Sequence, residues 1–305
     1  MLILLKLVVP ILAALLGFSS ARRIGVSEKW VKIIGSSITR IFLPCVIIPA
    51  MANIQLSWEI IELPIANLCI VLGLFLIAFL YVSIKKMPAL EKGSFLTAFS
   101  SLEGGSIGLT LILLIYGNAA VPYFLVFDIT HGLLVFTFIY FIACFYGTKN
   151  QMSWNFFCSF LLGPIPLAVI IGLVIHCVFG GLNSTASMAL SSIGYLILPA
   201  VMFILGYRFN YFPQHFFSSL ITLVVKMTIG FCLGLALVSL FHMSGYPKMV
   251  VLLGASLPPS FLTLVFAEEQ GLAEEFLVTF LPMAGMMSFL ILCFAYSTFG
   301  MICVR

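Results

Sequence analysis

The 305-residue sequence has few charged residues: only 8% are Asp, Glu, Lys or Arg, whereas 63% are hydrophobic. A soluble domain is about one quarter charged, and no water-soluble core of this length could bury so much apolar surface. The solvent for this chain is therefore lipid. Because a membrane-spanning helix needs about 20 apolar residues, about ten spans use the whole chain. No stretch is left over for a soluble catalytic domain.

Motifs of enzyme chemistry are also missing. The four histidines form no HExxH pattern, no GxSxG occurs, and the eight cysteines include no CxxC pair. Catalysis inside a membrane would need a nucleophile with its base, or clustered metal ligands. We therefore expect no enzyme, no metal site and no cofactor. The net charge of +4 indicates topology and contact with anionic lipid rather than binding of nucleic acid.

Apolar runs and their punctuation predict an all-α integral membrane protein with ten transmembrane helices. The predicted spans are residues 2–18, 31–52, 60–84, 93–116, 119–146, 156–180, 186–208, 216–241, 248–267 and 274–303. Loops after odd-numbered spans carry nine Lys or Arg residues, whereas the other loops and the C-terminal tail carry only Lys248 and Arg305. By the positive-inside rule, both termini lie on the non-cytoplasmic side.

The chain contains an internal repeat. A shift of 155 residues lays GSSITRIFLPCVII (35–48) on LSSIGYLILPAVMF (190–203), and SSLEGGSIGL (100–109) on ASLPPSFLTL (255–264). Span 2 thus matches span 7, and span 4 matches span 9. Because five spans is an odd number, the second repeat enters the membrane in the opposite orientation. We predict two inverted five-helix repeats, residues 1–148 and 149–305, a plan that recurs in secondary transporters.

Helix-breaking residues fall at matching points of the two repeats. Span 4 contains Glu103-Gly104-Gly105, and span 9 contains Pro258-Pro259. Broken helices at membrane depth are tolerated where they line a cavity, and their half-helix N-termini suit an anion. We therefore predict a substrate site near the midplane. Its residues are Glu103, Gly104, Gly105, Ser106, Pro258, Pro259, Ser260 and Thr263.

These segments resemble the auxin efflux carrier family, and the resemblance covers essentially the whole chain. It rests on TAFSSLEGGSIGLTLILLIYG and VPYFLVFDITHGLLVFT in spans 4 and 5, and on LLGPIPLAVIIGL, LPAVMFILG and LPPSFLTLVFAEEQG in spans 6, 7 and 9. The resemblance implies a scaffold domain and a transport domain, each drawn from both repeats, with helices 4 and 9 crossing where they unwind. It further implies carriage of a small organic anion such as a carboxylate, residence in a bacterial inner membrane, and a homodimer formed through the scaffold.

Glu103 departs from that family's pattern, which usually has Asn at this position. An ionised acid in the break would repel an anion, so we predict that Glu103 takes up a proton when the anion binds. A neutral structural acid that bonds the loosened backbone is the equal alternative. The carrier is then proton-linked, or its efflux is driven by the membrane potential. The alternative function is a sodium-coupled symporter of the bile-acid type, on a related fold, with Glu103, Ser106 and Thr110 contributing oxygens to sodium.

Other ionisable residues at membrane depth are candidates for coupling, because a charge there needs a partner, a cavity or neutralisation. Asp128 and His131 share one face of span 5, as a proton relay or as a satisfied packing pair. Arg40 could neutralise Glu103 or Asp128, or attract the anion. For Lys226 we predict that the long side chain snorkels toward the membrane surface.

Overall fold

The structure is a computed structural model, and it describes residues 2–24, 27–54, 59–149, 162–208 and 213–303. All regular structure in these ranges is helical, with no strand among them. A helix pairs its backbone N–H and C=O groups within one segment, as a segment surrounded by lipid must. The α-helices are α1 (Leu2–Ser19), α2 (Glu28–Ser37), α3 (Leu43–Ala52), α4 (Glu59–Lys85), α5 (Ala89–Ser100), α6 (Leu109–Tyr116), α7 (Val121–Leu134), α8 (Tyr140–Tyr146), α9 (Pro164–Phe179), α10 (Ser184–Ile193), α11 (Ile197–Arg208), α12 (Pro213–Leu240), α13 (Gly245–Ala255), α14 (Leu262–Gln270) and α15 (Glu275–Cys303).

Several of these helices continue into one another. A π turn at Ile38–Phe42 joins α2 to α3, and a second at Val135–Ile139 joins α7 to α8. The first of these turns directly precedes Pro44, whose ring lacks an N–H and clashes with the carbonyl four residues earlier. The wider turn accommodates that clash and keeps the helix running.

Six helical stretches of the described chain are long and apolar enough to cross a membrane. They are Glu28–Ala52, Ile60–Lys85, Ala89–Tyr116, Asn118–Tyr146, Phe217–Leu240 and Glu275–Leu292. Two shorter apolar helices, Ile11–Arg22 and Pro164–Phe179, fall in the first and sixth predicted spans. The total of ten spans stays a prediction. Part of the sixth span and the start of the second repeat, residues 150–161, lie outside the described residues.

The helices pack in two groups. In one group, α1 packs against α11, and α3 packs against α9 and α10. In the other, α4 contacts α5, α7, α12 and α13, while α14 contacts α5 and α8. Contacts between α3 and α7, and between α11 and α15, join the two groups. The stretch Ala89–Tyr116 is the most buried of the six. In its most apolar part 78% is buried, whereas the corresponding value for Ile60–Lys85 is 39%. The interrupted helix therefore lies at the centre of the second group.

Candidate functional site

Two interrupted helices meet in the interior. The first is interrupted between α5 and α6, where Gly104–Gly108 form a π turn. The second is interrupted between α13 and α14, at Pro258 and Pro259. The backbone N–H of Glu103 donates to the carbonyl of Pro258 at 2.8 Å, which ties one break to the other. We call this meeting point, residues 101–106 and 257–261, the crossing.

The Glu103 carboxylate lies at the N-terminal end of α14. Its Oε2 accepts the backbone N–H of Phe261 at 2.9 Å, and its Oε1 accepts the hydroxyl of Ser106 at 2.5 Å. Phe261 directly precedes α14, so its N–H is one of the donors that a helix leaves unpaired at its start. The positive end of the helix dipole also stabilises a carboxylate there. Glu103 thus places a carboxyl group at the half-helix end where the sequence predicts that a substrate anion binds.

A second contact across the crossing comes from Ser101, which the sequence prediction does not include. The backbone N–H of Ser260 donates to Ser101 Oγ at 3.0 Å, and both residues are buried. Ser101 is the last polar residue before the Glu-Gly-Gly break. That position is the signal in the sequence that could have identified it.

Asp128 and His131 lie beside the first break. His131 Nε2 accepts the backbone N–H of Leu102 at 2.9 Å, and Nδ1 lies 3.7 Å from Asp128 Oδ1. The Asp128 carboxylate rests against Gly104, where a Cβ would overlap it. Because Nε2 is an acceptor, the neutral ring carries its proton on Nδ1, facing Asp128. The relay and its alternative, a satisfied ion pair or helix-packing contact, both stay predictions.

The other predicted substrate residues differ in what they offer a ligand. Gly105 adjoins open space, since no atom lies within 4 Å of the position its Cβ would take. Ser106 is partly exposed, whereas Pro259 and Ser260 are buried. Thr263 is fully buried, and its hydroxyl donates to the carbonyl of Ser260 at 2.7 Å. The ligand-accessible side of the crossing is therefore the span 4 side, and Thr263 serves its own helix.

Arg40 is not brought to the crossing. It lies in the π turn Ile38–Phe42 and is exposed. Within the described ranges, neither Glu103 nor Asp128 forms an ion pair with it.

For Lys226 the snorkelling prediction is wrong. The side chain is only 1% exposed, and its Nζ donates to the carbonyl of Leu257 at 2.9 Å. Lys226 lies near the middle of α12, about 20 Å from either end at 1.5 Å per residue, farther than a lysine side chain reaches. It contacts the crossing from the side of span 9.

A cavity of about 320 Å³ opens near one end of these helices. Residues from α3, α7, α10 and α13 line it, together with the turn before α7. Its polar lining includes Asn53, Asn118, Tyr123, Ser187, Ser191 and Tyr246. The lining residue Pro122 precedes Asp128 by about 9 Å along α7, so the cavity ends one to two helical turns from the crossing.

Chemically, the crossing offers one carboxyl group, hydroxyls and helix N–H donors. Among the described residues, no group of three or more His, Cys, Asp or Glu is placed to hold a metal ion.

Comparison with known proteins gives one family match. The family described as "Membrane transport protein" matches residues 2–156 and 151–296, which together include the crossing and the cavity. No curated protein is similar enough to the chain to match it.

Proposed function

The chain belongs to the membrane transport protein family, which covers the auxin efflux carriers, and from this premise we propose that it is a secondary active transporter of a small organic anion such as a carboxylate. Membership makes it an integral, multi-pass membrane transport protein, and we propose that it acts as a carrier rather than as an enzyme. The proposal adds the substrate class, the coupling to protons and the alternating-access mechanism. We place the carrier in a bacterial inner membrane, with both termini on the non-cytoplasmic side.

The proposed architecture is two inverted five-helix repeats, residues 1–148 and 149–305. Two observations support it. The interruptions before α6 and before α14 occur at positions that the 155-residue shift superposes. In addition, each of the two packing groups draws helices from both halves of the chain. We take the group containing α1, α3, α9, α10 and α11 as the scaffold domain and the other as the transport domain.

The observation that carries the substrate class is the contact between Glu103 and Phe261. A carboxylate already occupies the N-terminal end of α14, held by a backbone N–H at 2.9 Å. The donors at this half-helix end therefore suit an anion, and a substrate carboxylate requires the same donors. Substrate and Glu103 then compete for one place.

Protonation of Glu103 resolves this competition. A neutral carboxylic acid is a weaker acceptor than a carboxylate, so the proton releases the N–H of Phe261 to the substrate. One proton and one monovalent anion bind together, and the loaded crossing carries no added charge. Without the proton, an inside-negative potential would favour export by about 2.3 kcal/mol per 100 mV and per charge.

The test measures carboxylate binding by the purified protein in detergent, at about pH 5.5 and about pH 7.5, in sodium or choline chloride. If one proton is linked to one anion, the affinity rises at lower pH by at most tenfold per pH unit. Glu103→Gln removes the exchangeable proton, so its binding should no longer depend on pH. The matched control is Glu91→Gln, the same change at an exposed position of α5, which should bind as the native protein does.

Two results would overturn the proposal. If Glu103→Gln keeps the native pH dependence, the proton is exchanged elsewhere. If binding requires sodium at both pH values, the carrier is instead a sodium-coupled symporter of the bile-acid type.

A further inference from the structure

Lys226 is a buried lysine that the proposed mechanism does not use. It is 1% exposed, and its Nζ donates to the carbonyl of Leu257 at 2.9 Å. Within the described part of the chain it forms no ion pair with an acid. A charge inside a membrane protein is costly without compensation, so the reason for its position must lie in the backbone that it contacts.

The carbonyl of Leu257 lacks its usual partner because of the residues that follow it. In a continuous helix it would accept the N–H of Phe261, four residues on. That N–H donates instead to Glu103, and the N–H of Ser260, three residues on, donates to Ser101 Oγ. The carbonyl also lies just beyond the C-terminal end of α13, where the helix dipole is negative. This end therefore requires a positively charged donor.

The packing of α12 directs the lysine to that end. Gly230 lies one turn after Lys226, and a Cβ at Gly230 would overlap the carbonyl oxygen of Ala255. Only glycine lets the α12 backbone approach the end of α13 so closely. The side chain of Lys226 thus reaches the Leu257 carbonyl from an adjacent helix. Two nearby residues of α12, Leu223 and Met227, are also buried.

The two helix ends at the break in span 9 are therefore contacted by side chains of opposite type, one acidic and one basic. Glu103 lies at the N-terminal end of α14, and Lys226 lies at the C-terminal end of α13. In secondary transporters, the carbonyls of unwound backbone and of half-helix C-terminal ends are ligands for coupling cations. We propose that Lys226 is a resident cation, which takes at the C-terminal end of α13 the place that a coupling sodium ion would otherwise fill. The inference deepens the proposed transport function, because it makes the same crossing independent of sodium.

The experiment follows thermal unfolding of the detergent-purified protein without any substrate, in sodium chloride and in choline chloride of equal ionic strength. The native protein should melt at the same temperature in both salts. Lys226→Met keeps the apolar stem but leaves the Leu257 carbonyl unpaired, which should lower the melting temperature by roughly 2–10 °C in choline. Sodium should then restore part of that loss in a concentration-dependent manner, because it binds only the folded state.

Lys226→Arg is the matched control. It keeps a positive charge at the carbonyl, so its melting temperature should be the same in sodium and in choline. Sodium stabilisation of the native protein would overturn the inference, and so would a Lys226→Met variant with equal melting temperatures in the two salts. If Lys226→Met does not fold, Lys226→Gln, which keeps a donor without the charge, is tested for the same sodium response.

Because no carboxylate substrate is present, this result is separate from the Glu103→Gln test. Failure of carboxylate binding would leave the sodium response intact as evidence for a resident cation. A sodium-stabilised native protein would refute the resident cation without excluding a carboxylate substrate.

Discussion

At the scale of single residues, His131 determines how the first break is held. Its Nε2 accepts the N–H of Leu102, a donor that lies beyond the end of α5. An imidazolium has a hydrogen on both nitrogens, so protonation of His131 would remove that bond. The histidine therefore stabilises the crossing in its neutral form, with Asp128 beside the opposite nitrogen.

The first prediction concerns this bond. His131→Ala leaves the Leu102 N–H unpaired in a buried place, which should lower the free energy of unfolding by about 1–3 kcal/mol. Asp128→Asn loses only a contact of 3.7 Å at a partly exposed side chain, so its effect should be smaller. Melting temperatures in detergent give the comparison. Equal losses in the two variants would mean that the aspartate, rather than the Leu102 bond, is the reason His131 matters.

At the scale of elements, a small number of hydrogen bonds join the interrupted helix α5–α6 to the interrupted helix α13–α14. Ser101 accepts the N–H of Ser260 and so joins the two breaks. Its neighbour Ser100 is equally buried, but its hydroxyl donates to the carbonyl of Leu96 within α5. The two serines therefore differ in whether they connect elements.

The second prediction uses this difference. Ser101→Ala should destabilise the protein by about 1–3 kcal/mol, because the Ser260 N–H then has no acceptor. Ser100→Ala removes a bond to a carbonyl inside a helix and should cost clearly less. Both changes make the same substitution at adjacent buried positions. A Ser100→Ala variant as unstable as Ser101→Ala would mean that the bond between Ser260 and Ser101 contributes no more to stability than a bond within α5.

The positions of the breaks could be predicted from the sequence, but their partners could not. A Gly-Gly or Pro-Pro pair weakens a helix by local geometry, which is readable in the sequence. The bond from Phe261 to Glu103 joins residues 158 positions apart, and it depends on how the helices pack. The depth of Lys226 in α12 is likewise readable, but the carbonyl that accepts its hydrogen bond belongs to Leu257, in the break between α13 and α14.

The ends of the helices were predicted less well than their centres. Span 4 was predicted from residue 93 and span 9 from residue 248, whereas α5 begins at Ala89 and α13 at Gly245. The helix of span 4 continues outward through Glu91 and Lys92, and that of span 9 through Gly245, Tyr246 and Pro247. Hydropathy marks the apolar part of a helix, whereas its end is determined by capping and by the next turn.

At the scale of the whole molecule, the two ends of span 4 differ in how tightly they are closed. Near its start, the hydroxyl of Ser94 donates to the carbonyl of Ala273 at 2.6 Å, and the N–H of Lys149 donates to the carbonyl of Gln270. After its end, Asn118 lines the cavity. On the proposed topology the basic loops of the closed side face the cytoplasm, so this conformation would open away from it.

The third prediction tests this state. Ser187→Cys places a thiol in the lining of the cavity, where a membrane-impermeant maleimide should react with it. Ser94→Cys places one at the closed end, where the native serine is 1% exposed, so it should react slowly until the carrier changes conformation. The native protein, which has eight cysteines, gives the background. Faster labelling of Ser94→Cys than of Ser187→Cys would reverse the assignment.

The crossing also has a consequence for how the chain is made. Its acid and the N–H that binds it are separated by 158 residues, and ribosomes add about 5–20 residues per second. Glu103 is therefore synthesised roughly 10–30 s before Phe261. For that time the Glu103 carboxyl lacks its N–H partner, and the hydroxyl of Ser106 is the donor available nearby in the sequence. Biogenesis of span 4 is then complete only when the last helices emerge, and a ribosome that stalls before residue 261 leaves a membrane protein without its centre.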